Sequence, residues 1–413
     1  MTPAITAEFI RRIPKTDLHL HLDGSLRIPT LVELARRERV KLPSYTEEGL
    51  RKLVFKKHYR SLPEYLRGFT FTVAVLQSPE NLERAAFEMA EDNLAEGVRY
   101  IEVRFAPQLH CRAGFSIEQV VHAVCKGLDR AKHRHNRRPA VTRGEDIQFE
   151  YGIIACALRH FNEQYSPYYR QILHVMSYAP RKEVFAAASL EMARAAVEMA
   201  RHKGLQVVGF DLDGEESGYP AEAHKAAYQF AHSHFLKKTV HAGEAYGPES
   251  IFQAITECHA NRIGHGTFLF AWNMIRDPSI EDPRAYARWL AEYVASQRIT
   301  LEVCLTSNLQ TTPSIRKVSD HPLKQMIRHN LSVSICTDNR LVSDTTVCKE
   351  LQLVADHLHV TPHQFRNLVI AGFKGSFFPG SYTDKRAYVR RVLDRYERLE
   401  QGILGASSRL AAR

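Results

Sequence analysis

Residues 16–23 read TDLHLHLD. In a strand, successive side chains point to opposite faces. Leu18, Leu20 and Leu22 therefore share one side, and Asp17, His19, His21 and Asp23 share the other. The leucines suit packing against helices. The opposite row puts two imidazoles and two carboxylates into an interior, which is costly without a compensating cation or hydrogen bonds. Histidines two apart on a strand bring both rings to one face, as a zinc site on a strand requires; on a helix the spacing would be three or four. Gly24 follows at once and predicts a tight turn. The stretch reads as a buried strand whose polar face holds a metal.

Seven more short apolar runs rich in β-branched residues follow, at residues 99–106, 148–157, 206–212, 238–242, 262–266, 298–305 and 331–337. Segments of helical period separate them. In residues 78–97, SPENLERAAFEMAEDNLAEG, Ser78 is a candidate N-cap and Gly97 a candidate terminator. Eight strands joined by helical crossovers predict an α/β chain closed as a (β/α)8 TIM barrel. An open doubly wound sheet is the alternative, but no glycine-rich phosphate loop follows any strand. Residues 26–76 are too long for a simple connection and predict extra helices over the barrel mouth between strand 1 and strand 2. Leu62, Leu66 and Phe69 have helical spacing there, suited either to an apolar lid or to core packing. Residues 1–413 read as a single domain, with the barrel at about 10–380 and a C-terminal helical tail at about 381–413.

Chemistry in such a barrel sits at the C-terminal ends of its strands. The fifth run ends VHAGE, with His241 at the tip and Glu244 just beyond; the sixth ends IGHG, with His265 between glycines; the eighth ends CTDN, with Asp338 and Asn339. His19, His21, His241 and Asp338 together offer three neutral nitrogens and one anionic oxygen, a donor set suited to one catalytic Zn2+ with a place left for water. Glu244 and His265 are left free of ligand duty. A carboxyl group able to exchange a proton with a ring nitrogen, beside an imidazole that orients or deprotonates water, completes a hydrolytic site.

The composition narrows the partners. A formal charge of +10 raises the question of a polyanion, but the only dense basic stretch, at 126–143, contains Pro139 and no interleaved aromatic for base stacking. It reads as a solvated helix end and loop, so no nucleic acid is expected. No charge-free apolar run approaches membrane-spanning length, and the first residues lack a signal-peptide apolar core, so no membrane partner and a cytoplasmic location are expected. Seven scattered cysteines without a C-x-x-C pair read as reduced. Arg104 reads as an ion-pair partner of Glu102.

HLHLDGS, HAGE, IGHG and TDN occur in this order, and together they resemble the adenosine deaminase family over about Phe9 to Phe378. VVGFDLDGEE after Gln206 resembles that family's fourth-strand segment. The resemblance implies zinc on His19, His21, His241 and Asp338, with Glu244 protonating purine N1 and His265 placing the attacking water at C6. It also implies a backbone N–H of Gly214 at N3, and Asp23 with His21 facing the ribose hydroxyls. The departure is Asn339, where the family commonly has a second aspartate facing N7; an amide gives N7 a hydrogen without borrowing a proton. The implied reaction converts adenosine or 2′-deoxyadenosine to the inosine product and ammonia, the partner being a small-molecule purine nucleoside. Alternatives are 6-aminodeoxyfutalosine or adenine as substrate, AMP less so, a two-metal hydrolase, and a catalytically silent purine-binding barrel.

Overall fold

A computed structural model describes residues 5–60 and 62–404, and the side chain of Leu62, one of the lid candidates, lies outside them. Eight parallel strands follow one another around the sheet in chain order: β1 (Lys15–His21), β2 (Val98–Phe105), β3 (Glu150–Leu158), β4 (Val207–Asp213), β5 (Lys237–Ala242), β6 (Arg262–His265), β7 (Thr300–Val303) and β8 (Val333–Ile335). The ring closes through residues of the polar row itself. His21 N donates to Asp338 O at 2.8 Å, and Asp338 N donates to His19 O at 2.8 Å. Helices occupy every crossover, which is the expected (β/α)8 barrel.

Local sequence explains the elements. Leu18, Leu20 and Leu22 are fully buried in the layer between barrel and helices. The crossover helix Pro79–Ala95 starts where the Ser78 hydroxyl accepts the Asn81 N–H at 3.3 Å, and it stops before Gly97, whose φ of +86° favours a residue without a Cβ. The long connection after β1 folds into the helices Ile28–Arg37, Glu47–Leu53, Leu62–Leu66 and Phe69–Val75. Leu66 and Phe69 are partly buried against the core, and the Phe69 ring lies 6.5 Å from that of His21, so this segment reaches the barrel mouth.

The barrel interior is charged. Arg262 pairs with Glu102 and, at 2.6 Å, with Glu302; Arg104 pairs at 2.7 Å with both Glu302 and Asp211. All five groups are at most 1% exposed, and two guanidiniums against three carboxylates leave one negative charge under the strand tips. This corrects the expected Arg104–Glu102 pair. Residues two apart on one strand share a face, but the partners of Arg104 come from β4 and β7 because strand tilt brings different strands into one interior layer. Fully enclosed, Arg104 is also unavailable to a substrate phosphate.

The basic stretch lies on the helices Ile117–Asn136 and Pro139–Thr142. Most of its charges meet carboxylates: Lys126 and Arg130 meet Glu83, Arg134 meets Glu91, Lys132 meets Glu150 and Arg143 meets Glu145. No helix among the described residues is long and apolar enough to cross a membrane, and all seven cysteines are free.

Candidate active site

Barrel closure gathers the four expected ligands. His19 Nε2 and His21 Nε2 lie 3.3 Å apart, and Asp338 Oδ1 is 3.5 Å from the first and 3.4 Å from the second. The His241 ring completes the group, 4.5 Å from that of His19 between centroids, and the three histidines have ligand nitrogens within 4.8 Å of one another. Asp338 reaches this position in the left-handed backbone region (φ 60°), uncommon for a residue with a Cβ and typical of sites where geometry matters more than local strain.

Neighbouring carboxylates fix which nitrogens are free. Glu302 Oε2 is 2.9 Å from His19 Nδ1, which makes Nδ1 the protonated nitrogen and leaves the Nε2 lone pair facing His21 and Asp338. Asp211 Oδ2 and Asp213 Oδ1 stand 3.1 and 3.3 Å from His241 Nδ1, out of line for a straight hydrogen bond but close enough to favour the same tautomer. Ser307 Oγ donates to Asp338 Oδ2 at 2.6 Å, leaving Oδ1 for the centre. The His19 Nε2 lone pair and the Asp338 carboxylate thus face one point, with His21 Nε2 and a ring nitrogen of His241 beside it. That arrangement is unfavourable without a cation and fits a divalent ion with nitrogen and oxygen donors.

A second group, Cys156, Asp211 and Asp213, also clusters at the end of β4. It lacks a free ligand set, because Asp211 Oδ2 is held by Arg104 Nη1 at 2.7 Å. Asp213 is pushed well up, first by burial and then by the adjacent Asp211 charge. Asp211 is thus committed to the charged interior.

Glu244 and His265 face each other, Oε1 to Nε2, at 3.8 Å. Burial raises the Glu244 carboxyl to about 7, so at neutral pH it carries a proton a good part of the time. Burial, followed by repulsion from His19, holds His265 well below the usual histidine range and keeps it neutral. Its tautomer follows from a chain of hydrogen bonds. Leu323 N–H donates to His321 Nδ1 at 3.0 Å, so His321 carries its proton on Nε2 and gives it to Asn308 Oδ1 at 3.2 Å. Asn308 Nδ2 consequently faces His265 Nδ1, at 3.1 Å, as a donor. His265 must then carry its own proton on Nε2, toward Glu244. Of the two roles expected for this imidazole, the neutral ring can donate to a water oxygen but cannot deprotonate it.

The remaining expected residues surround this centre. Asp23 is buried with Oδ1 unpartnered, and burial raises it to about 7. Gly214 follows β4 with a φ of +99°, a conformation that side chains rarely adopt. Asn339 donates from Nδ2 to the Tyr65 hydroxyl at 2.8 Å and has its Oδ1 buried over Gly24, where a Cβ would overlap it. Sequence reasoning missed the supporting residues Glu302, Asp211, Ser307, Asn308 and Tyr65. It also missed Glu216, whose carboxylate accepts backbone N–H groups of Gly243 at 3.0 Å, Glu244 at 3.0 Å and Tyr246 at 3.1 Å and so clamps the loop that carries Glu244.

A family model described as adenosine deaminase matches residues 14–394. The chain belongs to the adenosine deaminase family. Family membership and the site chemistry make it a hydrolytic deaminase with a metal-binding histidine group. An adenosine deaminase of Mycolicibacterium vanbaalenii is 34% identical over 396 residues, covering 95% of this chain and 98% of that one. Adenosine deaminase 1 of Streptomyces coelicolor is 35% identical, covering 93% of this chain and 87% of that one. Among solved structures, the N6-mAMP deaminase of Arabidopsis superposes with a TM-score of 0.70 at 25% identity, over 94% of this chain and 99% of that one.

Proposed function

We propose that the protein hydrolyses adenosine and 2′-deoxyadenosine at C6, giving inosine or deoxyinosine and ammonia, with one Zn2+ per chain. The observation that carries this reading is the pairing of a protonatable Glu244 with a donor-fixed His265 Nε2–H, 3.8 Å apart, beside the clustered ligand atoms of His19, His21 and Asp338. The long relatives named above favour adenosine over 6-aminodeoxyfutalosine or adenine, and an intact Glu244 and His265 speak against a silent barrel.

His19, His21, His241 and Asp338 would hold the zinc, which when bound supplies the Lewis acidity that lowers the pKa of water from 15.7 to about 7. Glu244 gives its proton to purine N1, which withdraws electrons from the ring and opens C6 to addition. His265 Nε2–H donates to the oxygen being added, fixing its approach and stabilising the charge that develops on it. As the C6–N bond breaks, one proton of the consumed water leaves on the amine and the other restores Glu244. Gly214 N–H at N3 and the Asn339 amide at N7 would hold the base, with Asp23 and His21 at the ribose. The free cysteines support a reducing, cytoplasmic compartment, and we treat the whole chain as one barrel domain with a helical tail.

The test is ammonia release from adenosine, 2′-deoxyadenosine, adenine, 6-aminodeoxyfutalosine and AMP, with zinc counted per chain. Adenosine and its deoxy form should lead, with one zinc. Preference for another of these compounds overturns the substrate, and two zincs per chain overturn the site. Glu244→Gln should keep its zinc while kcat falls by roughly 10³-fold.

A further inference from the structure

Glu216 stands in the loop after β4, almost fully buried, and every group that meets its carboxylate is a hydrogen-bond donor. Oε1 accepts from the Gly243 N–H at 3.0 Å and from the Ser250 hydroxyl. Oε2 accepts from the N–H groups of Glu244 at 3.0 Å, Ala245 at 2.5 Å and Tyr246 at 3.1 Å. Four successive residues thus turn their N–H groups to one side chain. Residues 243–246 belong to no helix or strand, so this carboxylate supplies the partners that regular structure would otherwise give. Gly243 permits the turn with a φ of +70°.

The Glu244 side chain has no such support of its own. Among the described residues no hydrogen bond holds its carboxyl group, and the 3.8 Å approach to His265 Nε2 is longer than a hydrogen bond. Where the carboxyl lies is therefore decided by its backbone, and Glu216 holds that backbone. Further bonds tie the same loop to the chain after β4. The Tyr246 hydroxyl accepts the Gly218 N–H at 2.6 Å, Tyr219 N donates to Glu216 O at 3.1 Å, and Arg159 bridges Tyr219 O at 2.6 Å and His241 O at 2.5 Å. The loops after β4 and β5 are bound into one piece, with Glu216 at the joint.

We propose that Glu216 is a positioning residue for the deamination: by clamping residues 243–246 it fixes the Glu244 carboxyl beside His265, so that proton transfer to the purine starts from a preset geometry. This rests on the deaminase reading above, in which Glu244 is the acid. Glu216 itself touches neither the substrate nor the metal ligands' side chains; it acts through the backbone of Glu244.

The experiment measures kcat, KM and zinc content for Glu216→Gln and Ser250→Ala in the full-length zinc-loaded protein, each alone and combined with Glu244→Gln. Glu216→Gln keeps the side-chain volume but turns an –NH2 group against N–H donors. Its kcat on adenosine should fall on the order of 10²-fold, with KM within about threefold of the parent's and zinc retained. Ser250→Ala, which removes a single donor from Oε1, should lose roughly threefold to tenfold in kcat. In the Glu244→Gln background neither substitution should lower kcat by more than about twofold further, because a residue that acts through Glu244 then has nothing left to act on. Losses that multiply across the two positions mean a general packing role and overturn the proposal. So does a Glu216→Gln protein that loses its zinc, keeps kcat within about threefold of the parent's, or shows its loss in KM alone. If Glu216→Gln does not fold, Ser250→Ala decides by the same criteria, and a kcat equal to the parent's overturns the proposal. If the parent deaminates another of the purines named above in place of adenosine, the substrate reading fails and the same comparison on that compound decides Glu216; if it deaminates none, both fail.

Discussion

Glu302 Oε2 lies 2.9 Å from His19 Nδ1 and accepts a hydrogen bond from Arg104 Nη2 at 2.7 Å, so one buried carboxylate oxygen joins a zinc-ligand candidate to the charged interior of the barrel. Its other oxygen accepts from Thr239 at 3.0 Å and Arg262 at 2.6 Å. Glu302→Gln keeps the shape but weakens the hold on His19 Nδ1–H, and zinc affinity, measured by competition with a chelator, should fall by roughly 10–100-fold. Glu302→Ala leaves two guanidiniums short of a partner in a sealed interior. Urea unfolding of that variant should show a loss of roughly 3–5 kcal/mol.

The tautomer of His265 is set from outside the site, by the run Leu323 N–H to His321, His321 to Asn308, and Asn308 to His265. Asn308→Asp replaces the donor facing His265 Nδ1 with an acceptor, so the imidazole proton moves to Nδ1 and Nε2 loses its donor role or the ring becomes charged. We expect kcat to fall by roughly 10²-fold with KM little changed and zinc retained. Nitrogen chemical shifts of the His265 ring should report the move, and a variant with the native shifts and full kcat would refute the donor assignment.

Gly24 is glycine because of Asn339: a Cβ there would occupy the space of the amide Oδ1. Gly24→Ala should force the Asn339 side chain off Tyr65, lower stability by about 1–3 kcal/mol and raise KM for nucleosides. Gly402→Ala, where a Cβ meets nothing within 4 Å, is the matched control and should melt like the parent protein. Melting temperature and KM for the two alanine variants decide the point.

Much of this site can be read from β1 alone, because alternation puts leucines and polar groups on opposite faces and barrel closure pairs Asp338 with both His19 and His21. Ser78 and Gly97 bound their helix in sequence as in structure, since caps depend on local backbone geometry. Glu302 was half legible: Thr300, Glu302 and Cys304 share a parity, but one carboxylate in an apolar run gives no hint of which histidine it meets. Arg104 drew the wrong partner because spacing along a strand is visible and the stagger between strands is not. Asn308 and His321 carry no motif, and their chain of hydrogen bonds exists only once their elements pack. The acidic partners of the basic stretch were hidden likewise, for Glu83 and Glu91 lie on the preceding crossover helix.

Three buried histidines outside the metal group make stability depend on pH. Burial lowers His110 to about 4, and His224 and His321 to about 3, from an unperturbed value of 6.5. Each is neutral in the folded protein, and the unfolded chain binds the extra proton below pH 6.5. Stability is therefore full above that pH and drains away as pH falls toward 3–4, by about 1.4 kcal/mol per pH unit for each group within its window. By pH 4 each histidine should have withdrawn roughly 2–3 kcal/mol. His224 accepts or donates at Ser189 Oγ over 2.7 Å, so His224→Gln should destabilise the protein near pH 8 through that lost contact. The same variant should flatten the acid limb, with proton uptake on unfolding near pH 5 lower by about one. An unchanged slope of unfolding free energy against pH in His224→Gln would show that this histidine is protonated alike in the folded and unfolded states.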